Sequence, residues 1–430
     1  MEQSVQPILS ISGSIEVPGD KSISHRAVIL GSIAEGITEI DGFLNGEDCL
    51  STIRVFQQLG VGIERTAEFS YLIRGKGLQN LEEPVEVLNV GNSGTTIRLV
   101  SGVLAGQKIF SVMTGDESIV KRPMKRVIEP LRLMGANIDG RNNGGYAPLS
   151  IRGAKLKGIT YNSPIASAQV KSALLLAGLF ASSNTTITEP YKSRDHSEKM
   201  LAHFGAKLDI KNNEVTIHPS TSLNGQKIKV PGDFSSAAFF IAAALIVPNS
   251  KIRINNVGIN STRIGFLEAV QLMNGNIKIE NIRYFGEEPV ADILAETSEL
   301  KAIALSGEWI PKLIDELPLL AVIASQAEGI SRVTDAKELR VKETDRISTI
   351  ASEMRKVGVE IEELEDGFSI QGKQTIIGGR ISSHGDHRIG MAMAIAGLIA
   401  KEKIIINKSE AINISYPKFF QDLAKISINY

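Results

Sequence analysis

The fold of this 430-residue chain is constrained above all by an ending that recurs along it. An amphipathic helical run closes on glycine and an alternating strand follows, in FQQLGVGIE, LRLMGANID, LAHFGAKLD, QLMNGNIKI and EMRKVGVEI. The closing glycines are Gly60, Gly135, Gly205, Gly275 and Gly358, about 70 to 80 residues apart, and glycine suits the left-handed turn that ends a helix. Near the C-terminus, SYPKFFQDLAKISIN reads as a truncated sixth copy. A second family of segments keeps the same interval: DKSISHRAVILGSIAEG, GNSGTTIRLVSGVLAG, SAQVKSALLLAGLFA, GDFSSAAFFIAAALI, IDELPLLAVIASQAEG and GDHRIGMAMAIAGLIA. Each is rich in Ala, Gly and Leu nearly all round, the pattern of a helix buried on most sides, with its charges gathered at the N-terminal entrance. Six α/β units, each with two helices and enough strand for a small sheet, account for the chain.

The repeat has a larger period. VPGDKSISHRAVILGSIAEG at Val17 echoes VPGDFSSAAFFIAAALIVPN at Val230, so three units and three units make two similar domains. Two domains are also what this length favours, because a single core stops growing well below it. The echo predicts a discontinuous first domain, residues 1–18 plus 235–430, and a second, residues 19–234. The halves would be joined twice, which suits hinge closure on a ligand.

Composition excludes several function classes. The 47 basic and 48 acidic residues leave a net charge of −1, so no overall field draws the protein to nucleic acid or membrane, and anion binding must come from local clusters. The single cysteine, Cys49, excludes an internal disulfide and a multi-cysteine metal site and fits a reducing compartment. The opening MEQSVQPILSISG has no basic stretch leading into a long apolar run, and FFIAAALIVP falls far short of the ~20 residues that span a bilayer. The expectation is a soluble cytoplasmic protein.

The polar helix entrances hold the chemistry. They and their neighbours bring together Lys21, Ser22 and Arg26; Asn92, Gly94, Thr95 and Arg98; Lys121, Arg122 and Arg126; Ser167, Gln169 and Lys171; and Arg194. Later in the chain come Asp315 and Glu316, Lys342, Glu343 and Arg346, and His387 with Arg388. Clustered cations with helix N-termini and Gly-Ser amides form the anion site that phosphates and carboxylates need. Asp315 and Glu343 would be costly beside bound anions without proton-transfer work to do.

Taken singly, each motif also has a plainer reading. GDKS lacks the spaced glycines and GK order of a phosphate loop; GNSGT serves equally as a cap; KRPMKRV could be a solvated face, and KETDR an exposed i,i+4 pair. DHR has no HExxH or cysteine companion, so no metal is expected.

Taken together and in order, VPGDKSISHR, GNSGTTIRL, KRPMKRV, SAQVKSALL, IDELP, RVKETDRI and GDHRIGM resemble the 5-enolpyruvylshikimate-3-phosphate synthase family across nearly the whole chain. The resemblance implies the enolpyruvyl transferase fold, an inside-out α/β barrel in each of two domains built from three βαβαββ units, with the active site in the cleft between them. It implies transfer of the enolpyruvyl group of phosphoenolpyruvate to the 5-hydroxyl of shikimate 3-phosphate, with release of phosphate, on the route to chorismate. It also implies no cofactor, small molecules as the only partners, and a monomer.

By the same resemblance, Lys21, Ser22 and Arg26 contact substrate, Lys21 touching both ligands. Gly94 and Thr95 form the loop over phosphoenolpyruvate, with Lys121, Arg122, Gln169, Arg346 and Arg388 around it. Ser167, Ala168, Gln169, Arg194, Asp315 and Lys342 hold shikimate 3-phosphate, and Asp315, Glu343 and Lys21 are catalytic. Three departures from the enterobacterial pattern point to the divergent second bacterial class. Ala168 replaces a serine and offers only its backbone; Ile414 stands where a lysine is expected, with Lys408 or Lys121 as substitutes; Glu338 replaces an amide. Gly94, rather than a bulkier residue, argues for glyphosate sensitivity. The sister family that uses UDP-N-acetylglucosamine carries a reactive cysteine in the loop matching TGDESIVKRP, which has none here. A non-catalytic anion-binding protein would have no use for Asp315 and Glu343.

Overall fold

The computed structural model describes residues 1–429. The chain divides into two compact units, one of Met1–Pro18, Pro231–Tyr284 and Pro289–Tyr430, the other of Gly19–Val230 and Phe285–Glu288. Each has its own hydrophobic core. No helix among the described residues is long and apolar enough to cross a membrane.

All six apolar segments form helices: Lys21–Ile33, Gly94–Ala105, Ala168–Gly178, Phe234–Ile246, Leu317–Ala324 and His387–Gly397. Their small side chains let them bury on every side, and in Phe234–Ile246 every residue but the last is buried. At Gly102 a Cβ would lie 2.1 Å from the carbonyl oxygen of Ala173, so only glycine lets these two helices approach this closely. Five of the six are capped as their sequences suggest, by Asp20, Ser93, Ser167, Asp233 and Asp386, each accepting a backbone N–H from the first turn. The Leu317 helix has no side-chain cap and starts with proline in its first turn instead.

Three four-stranded sheets in the second unit share one plan: a parallel pair, then two antiparallel partners. One runs Leu88–Asn89, Phe110–Thr114, Tyr146–Arg152, Asn137–Gly140 in spatial order. The next is Thr160–Asn162, Thr185–Thr188, Glu214–Ile217, Leu208–Lys211. The third begins with Lys227–Lys229, paired in parallel with Glu35–Asp41, so the last strand of the unit completes its first repeat.

The first unit closes in the same way. Ser10–Glu16 pairs in parallel with Lys251–Gly258, although the helix that follows it in sequence belongs to the other unit. Glu2–Val5 completes the sheet of Gly379–Ser382 and Ile404–Asn407. The shortened sixth copy is the Phe419–Ile426 helix followed by Ser427–Ile428, which adds to the free edge of Ser10–Glu16.

The two VPGD segments are therefore the places where the chain leaves one unit for the other. The second crossing lies at Val230–Pro231, a few residues before the 234/235 boundary expected from sequence. Asp233 N–H donates to the Pro18 carbonyl at 2.8 Å, and Gly232 bridges to Val257, which places both with the first unit. Phe285–Glu288, a hairpin tip, groups with the second unit and was not anticipated.

One expected helix ending is corrected. Gly60, Gly135, Gly205 and Gly358 adopt positive φ between 82° and 98°, but in QLMNGNIKI the left-handed residue is Asn274, with φ 69°, and not Gly275. Asparagine tolerates this conformation, which moves the turn one residue earlier.

Candidate active site

In the second unit the helix entrances bring together a set of cations with hydroxyl, amide and carboxylate partners. Arg26 is 4% exposed; its Nε donates to Ser197 Oγ and its Nη2 to Ser172 Oγ, both at 2.7 Å, and its Nη1 donates to the Ser22 carbonyl at 3.0 Å. Burial, aided by the nearby Arg194, lowers its pKa to about 10 despite the carboxylate of Glu198. Arg194 Nη1 in turn donates to the Ser22 hydroxyl at 3.4 Å. Lys21 opens its helix and pairs with Asp48, a residue that no motif singled out.

Gln169 links two motifs: its Nε2 donates to Thr95 Oγ1 at 3.1 Å while its Oε1 accepts from Arg98 Nη1 at 2.7 Å. Arg122 Nη2 donates to Asn92 Oδ1 at 3.0 Å and Ser118 Oγ at 3.2 Å. At Gly94 a Cβ would lie 2.9 Å from Arg122 Nη1 and 3.0 Å from Arg98 Nη1, so the absent side chain leaves room for these two buried guanidiniums. Lys121 stands apart from this set. Its Nζ donates to Glu117 Oε1 at 2.5 Å with 69% of its side chain exposed, which is the solvated-face arrangement.

His25 belongs to the scaffold. Its Nδ1 lies 2.7 Å from Thr52 Oγ1, which lies 2.7 Å from Thr96 Oγ1, and Thr96 donates to the capping hydroxyl of Ser93 at 2.6 Å. For that chain to run in one direction Nδ1 must carry the proton. Burial first, then Lys21 and Arg26, holds the imidazole pKa well below its usual value.

The first unit gathers Asp315, Glu343, Arg346 and Arg388 in a network of opposite charges. Arg346, 1% exposed, opens its helix and donates from Nε to Asp386 Oδ2 at 2.7 Å and from Nη2 to Asp386 Oδ1 at 3.2 Å. Its Nη2 also donates to Glu343 Oε2 at 2.6 Å and its Nη1 to Asp315 Oδ1 at 3.3 Å. Burial works against the charge of Arg346, but Asp386, Glu343 and Asp315 outweigh it and raise its pKa further. KETDR is thus not an exposed pair. The Asp315 Oδ2 atom lies 3.7 Å from Arg263 Nη1 and 3.7 Å from Arg388 Nη2. Glu316, fully buried, accepts from Ser235 and lies 3.5 Å from Arg388 Nη1.

Lys342 sits half-buried between the Lys337–Val341 turn, which carries Glu338, and the Arg346 helix. Ile414 ends the Ser409–Ile414 turn, and Lys408 just before it is exposed. Arg263, 3% exposed, is the member of this network that sequence reasoning missed altogether. It lies in NSTRIG, before a short helix with no side-chain cap. Asp386 was visible only as part of DHR, where nothing distinguished it from an ordinary cap.

The family described as EPSP synthase (3-phosphoshikimate 1-carboxyvinyltransferase) matches residues 5–423. The chain is 54% identical over 421 residues to the 3-phosphoshikimate 1-carboxyvinyltransferase of Bacillus subtilis, covering 98% of each chain. It is also 54% identical over 423 residues to that of Brevibacillus brevis, covering 98% of this chain and 99% of that one. Among solved structures, the EPSP synthase of Acinetobacter baumannii superposes with a TM-score of 0.88 at 44% identity, over 100% of this chain and 98% of that one. The enolpyruvyl transferase NikO of Streptomyces tendae, at 14% identity and a TM-score of 0.81 over 98% of this chain and 96% of that one, shares the fold.

Proposed function

The chain belongs to the EPSP synthase family, and from that premise we infer that it transfers the enolpyruvyl group of phosphoenolpyruvate to the 5-hydroxyl of shikimate 3-phosphate, releasing phosphate. Two polyanionic substrates must be held together, and fixed cations are the physical means. Arg26, Arg98, Arg122 and Arg194 supply them from the second unit, where hydroxyl, amide and carbonyl groups orient their guanidiniums. In our reading Ser167, Gln169 and Arg194 hold the phosphate of shikimate 3-phosphate, with Lys342, Ser22 and the Ala168 backbone nearby. Arg122, Arg346 and Arg388, with Gly94 and Thr95, are assigned to phosphoenolpyruvate. Lys121 has the weakest claim of the set.

The observation that carries the chemistry is the pair of carboxylates on one guanidinium, Asp315 and Glu343 on Arg346. The reaction needs one group to take the proton of the 5-hydroxyl and another to deliver a proton to the methylene carbon. We assign the first role to Asp315 and the second to Glu343 with Lys21. Protonation of the methylene carbon makes C2 of phosphoenolpyruvate electrophilic, the 5-hydroxyl oxygen bonds to C2 as it loses its proton, and the tetrahedral intermediate expels phosphate as the new methyl group gives up a proton to restore the double bond. Asp315→Ala and Glu343→Ala are each expected to lower kcat by about 100-fold or more; near-normal turnover in both would sink the assignment.

Release of inorganic phosphate from phosphoenolpyruvate, measured with shikimate 3-phosphate and separately with UDP-N-acetylglucosamine, tests the acceptor. Turnover is expected with the first alone. The loop TGDESIVKRP has no cysteine, and Cys49 is fully buried in the Glu47–Gln58 helix, which disfavours the second. We further propose that the enzyme works in the cytoplasm, on the ground of its balanced charge and single cysteine, and as a monomer without a cofactor, as the family resemblance implies.

A further inference from the structure

Two loops of the second unit, the one that ends at the Ser167 cap and the one that carries Arg194, are tied together by a single buried group. Glu189, 4% exposed, follows the Thr185–Thr188 strand. Its Oε1 accepts the backbone N–H of Ser167 at 2.9 Å. The same carboxylate accepts the hydroxyl of Ser193 at 2.7 and 2.8 Å and its N–H at 3.3 Å. Ser167 and Arg194 lie far apart in sequence, yet one carboxylate anchors Ser167 itself and the immediate neighbour of Arg194.

The carboxylate is held by Lys171, 2% exposed, whose Nζ lies 2.8 Å from Glu189 Oε2 and 2.7 Å from Glu198 Oε1 and donates to the Ser193 carbonyl at 3.3 Å. A lysine so buried is ordinarily driven toward neutrality, but these two glutamates overcome that and raise its pKa. One helical residue before Glu198, the Ser197 hydroxyl sits 2.6 Å from Ser172 Oγ, and both accept from Arg26. Lys171 and Ser172 are neighbours on the Ala168–Gly178 helix, so the ion cluster and the Arg26 guanidinium share one rigid support. A buried ion cluster is a poor source of stability, because desolvation offsets most of its attraction. Its value here lies in geometry: a carboxylate with several fixed donors permits only one arrangement of the two loops.

We propose that Glu189, with Lys171 as its counter-ion, is a positioning residue that sets the distance between Ser167 and Arg194 and thereby the grip on the phosphate of the acceptor substrate. The proposal rests on the reading above, in which those two residues hold shikimate 3-phosphate. Glu189 itself touches no substrate.

The test is steady-state kinetics together with calorimetric binding of shikimate 3-phosphate alone, on wild type, Glu189→Gln, Glu189→Asp and Ser193→Ala. Glu189→Gln is expected to raise both KM and Kd for shikimate 3-phosphate by about tenfold, the loss of a charge-assisted contact, while KM for phosphoenolpyruvate stays within about twofold. Glu189→Asp keeps the charge and loses the reach, so it is expected to be impaired for shikimate 3-phosphate as well. Recovery of wild-type values by Glu189→Asp would mean that Glu189 only neutralises Lys171, and would overturn the proposal. Should Glu189→Gln fail to fold, Ser193→Ala removes one donor and leaves the ion pair; a rise of about threefold in KM for shikimate 3-phosphate alone is expected. Equal rises for both substrates, or none for either, would also overturn it. Wild-type turnover with shikimate 3-phosphate is the control: its absence defeats the proposed function itself, whereas unshifted variants beside an active wild type defeat only the positioning role.

Discussion

Arg26 and Arg346 are both guanidiniums withdrawn almost wholly from solvent, one in each unit, and their surroundings are opposite in kind. Arg346 donates to three carboxylates, those of Asp386, Glu343 and Asp315. Arg26 donates to two serine hydroxyls and a backbone carbonyl. The consequence is visible in their proton affinities, with Arg346 pushed above the ordinary arginine value and Arg26 lowered to about 10. A cation satisfied by neutral groups keeps its field, and one surrounded by carboxylates has it cancelled locally. Arg26 is thus held at hydrogen-bonding distance by neutral groups, whereas Arg346 sits among three carboxylates.

The largest expected break in this contrast comes from Asp386→Ala. Removing one partner of a buried ion pair leaves Arg346 under-compensated, and urea unfolding is expected to show a loss of about 3 kcal/mol. Ser197→Ala takes only a neutral acceptor from Arg26 and is expected to cost about 1.5 kcal/mol in the same measurement. Equal losses in the two variants would erase the distinction between the units.

Gly94→Ala probes whether Arg122 and Arg98 need the room that the missing side chain leaves. Its Cβ would fall 2.9 Å from Arg122 Nη1, so KM for phosphoenolpyruvate is expected to rise about tenfold with little change for shikimate 3-phosphate. An unchanged KM would show that Arg122 has room to shift.

The smallest effect concerns pH. His25 has a depressed folded pKa, through burial and then Lys21 and Arg26, with Asp20 opposing. The unfolded chain therefore takes up a proton near pH 6.5 that the folded chain refuses, and stability is lost as pH falls below that value. Between pH 7 and pH 6 the loss is about 0.7 kcal/mol, and His25→Gln is expected to flatten the profile by that amount. A slope unchanged in the variant would assign the acid sensitivity to other groups.

Much of the fold was legible because its signals are local. An apolar run of small residues, a Ser or Asp two or three positions before the N–H it caps, and a glycine closing a turn all lie within a few residues of one another. Six helices and their entrances follow from such signals. Even there, Asn274 took the turn expected of Gly275, since two neighbouring residues could satisfy the same backbone demand. Recognition of motif order then gave the family, but nothing local set Arg263 apart or distinguished Asp386 from an ordinary helix cap.

The chain by itself thus determined the repeat, the buried helices and the family, because periodicity and motif order survive in one dimension. Tertiary structure alone decided which charges meet. Asp386 reaches Arg346 across 40 residues, Lys171 draws in Glu189 and Glu198, and Ser10–Glu16 pairs with a strand more than two hundred residues later. Whether a buried arginine is cancelled by carboxylates or left to act on a ligand depends on neighbours that only the folded chain brings within hydrogen-bonding distance. That is why Lys21 and Arg26 could be read from VPGDKSISHR, while the neutral serines that leave Arg26 its charge could not.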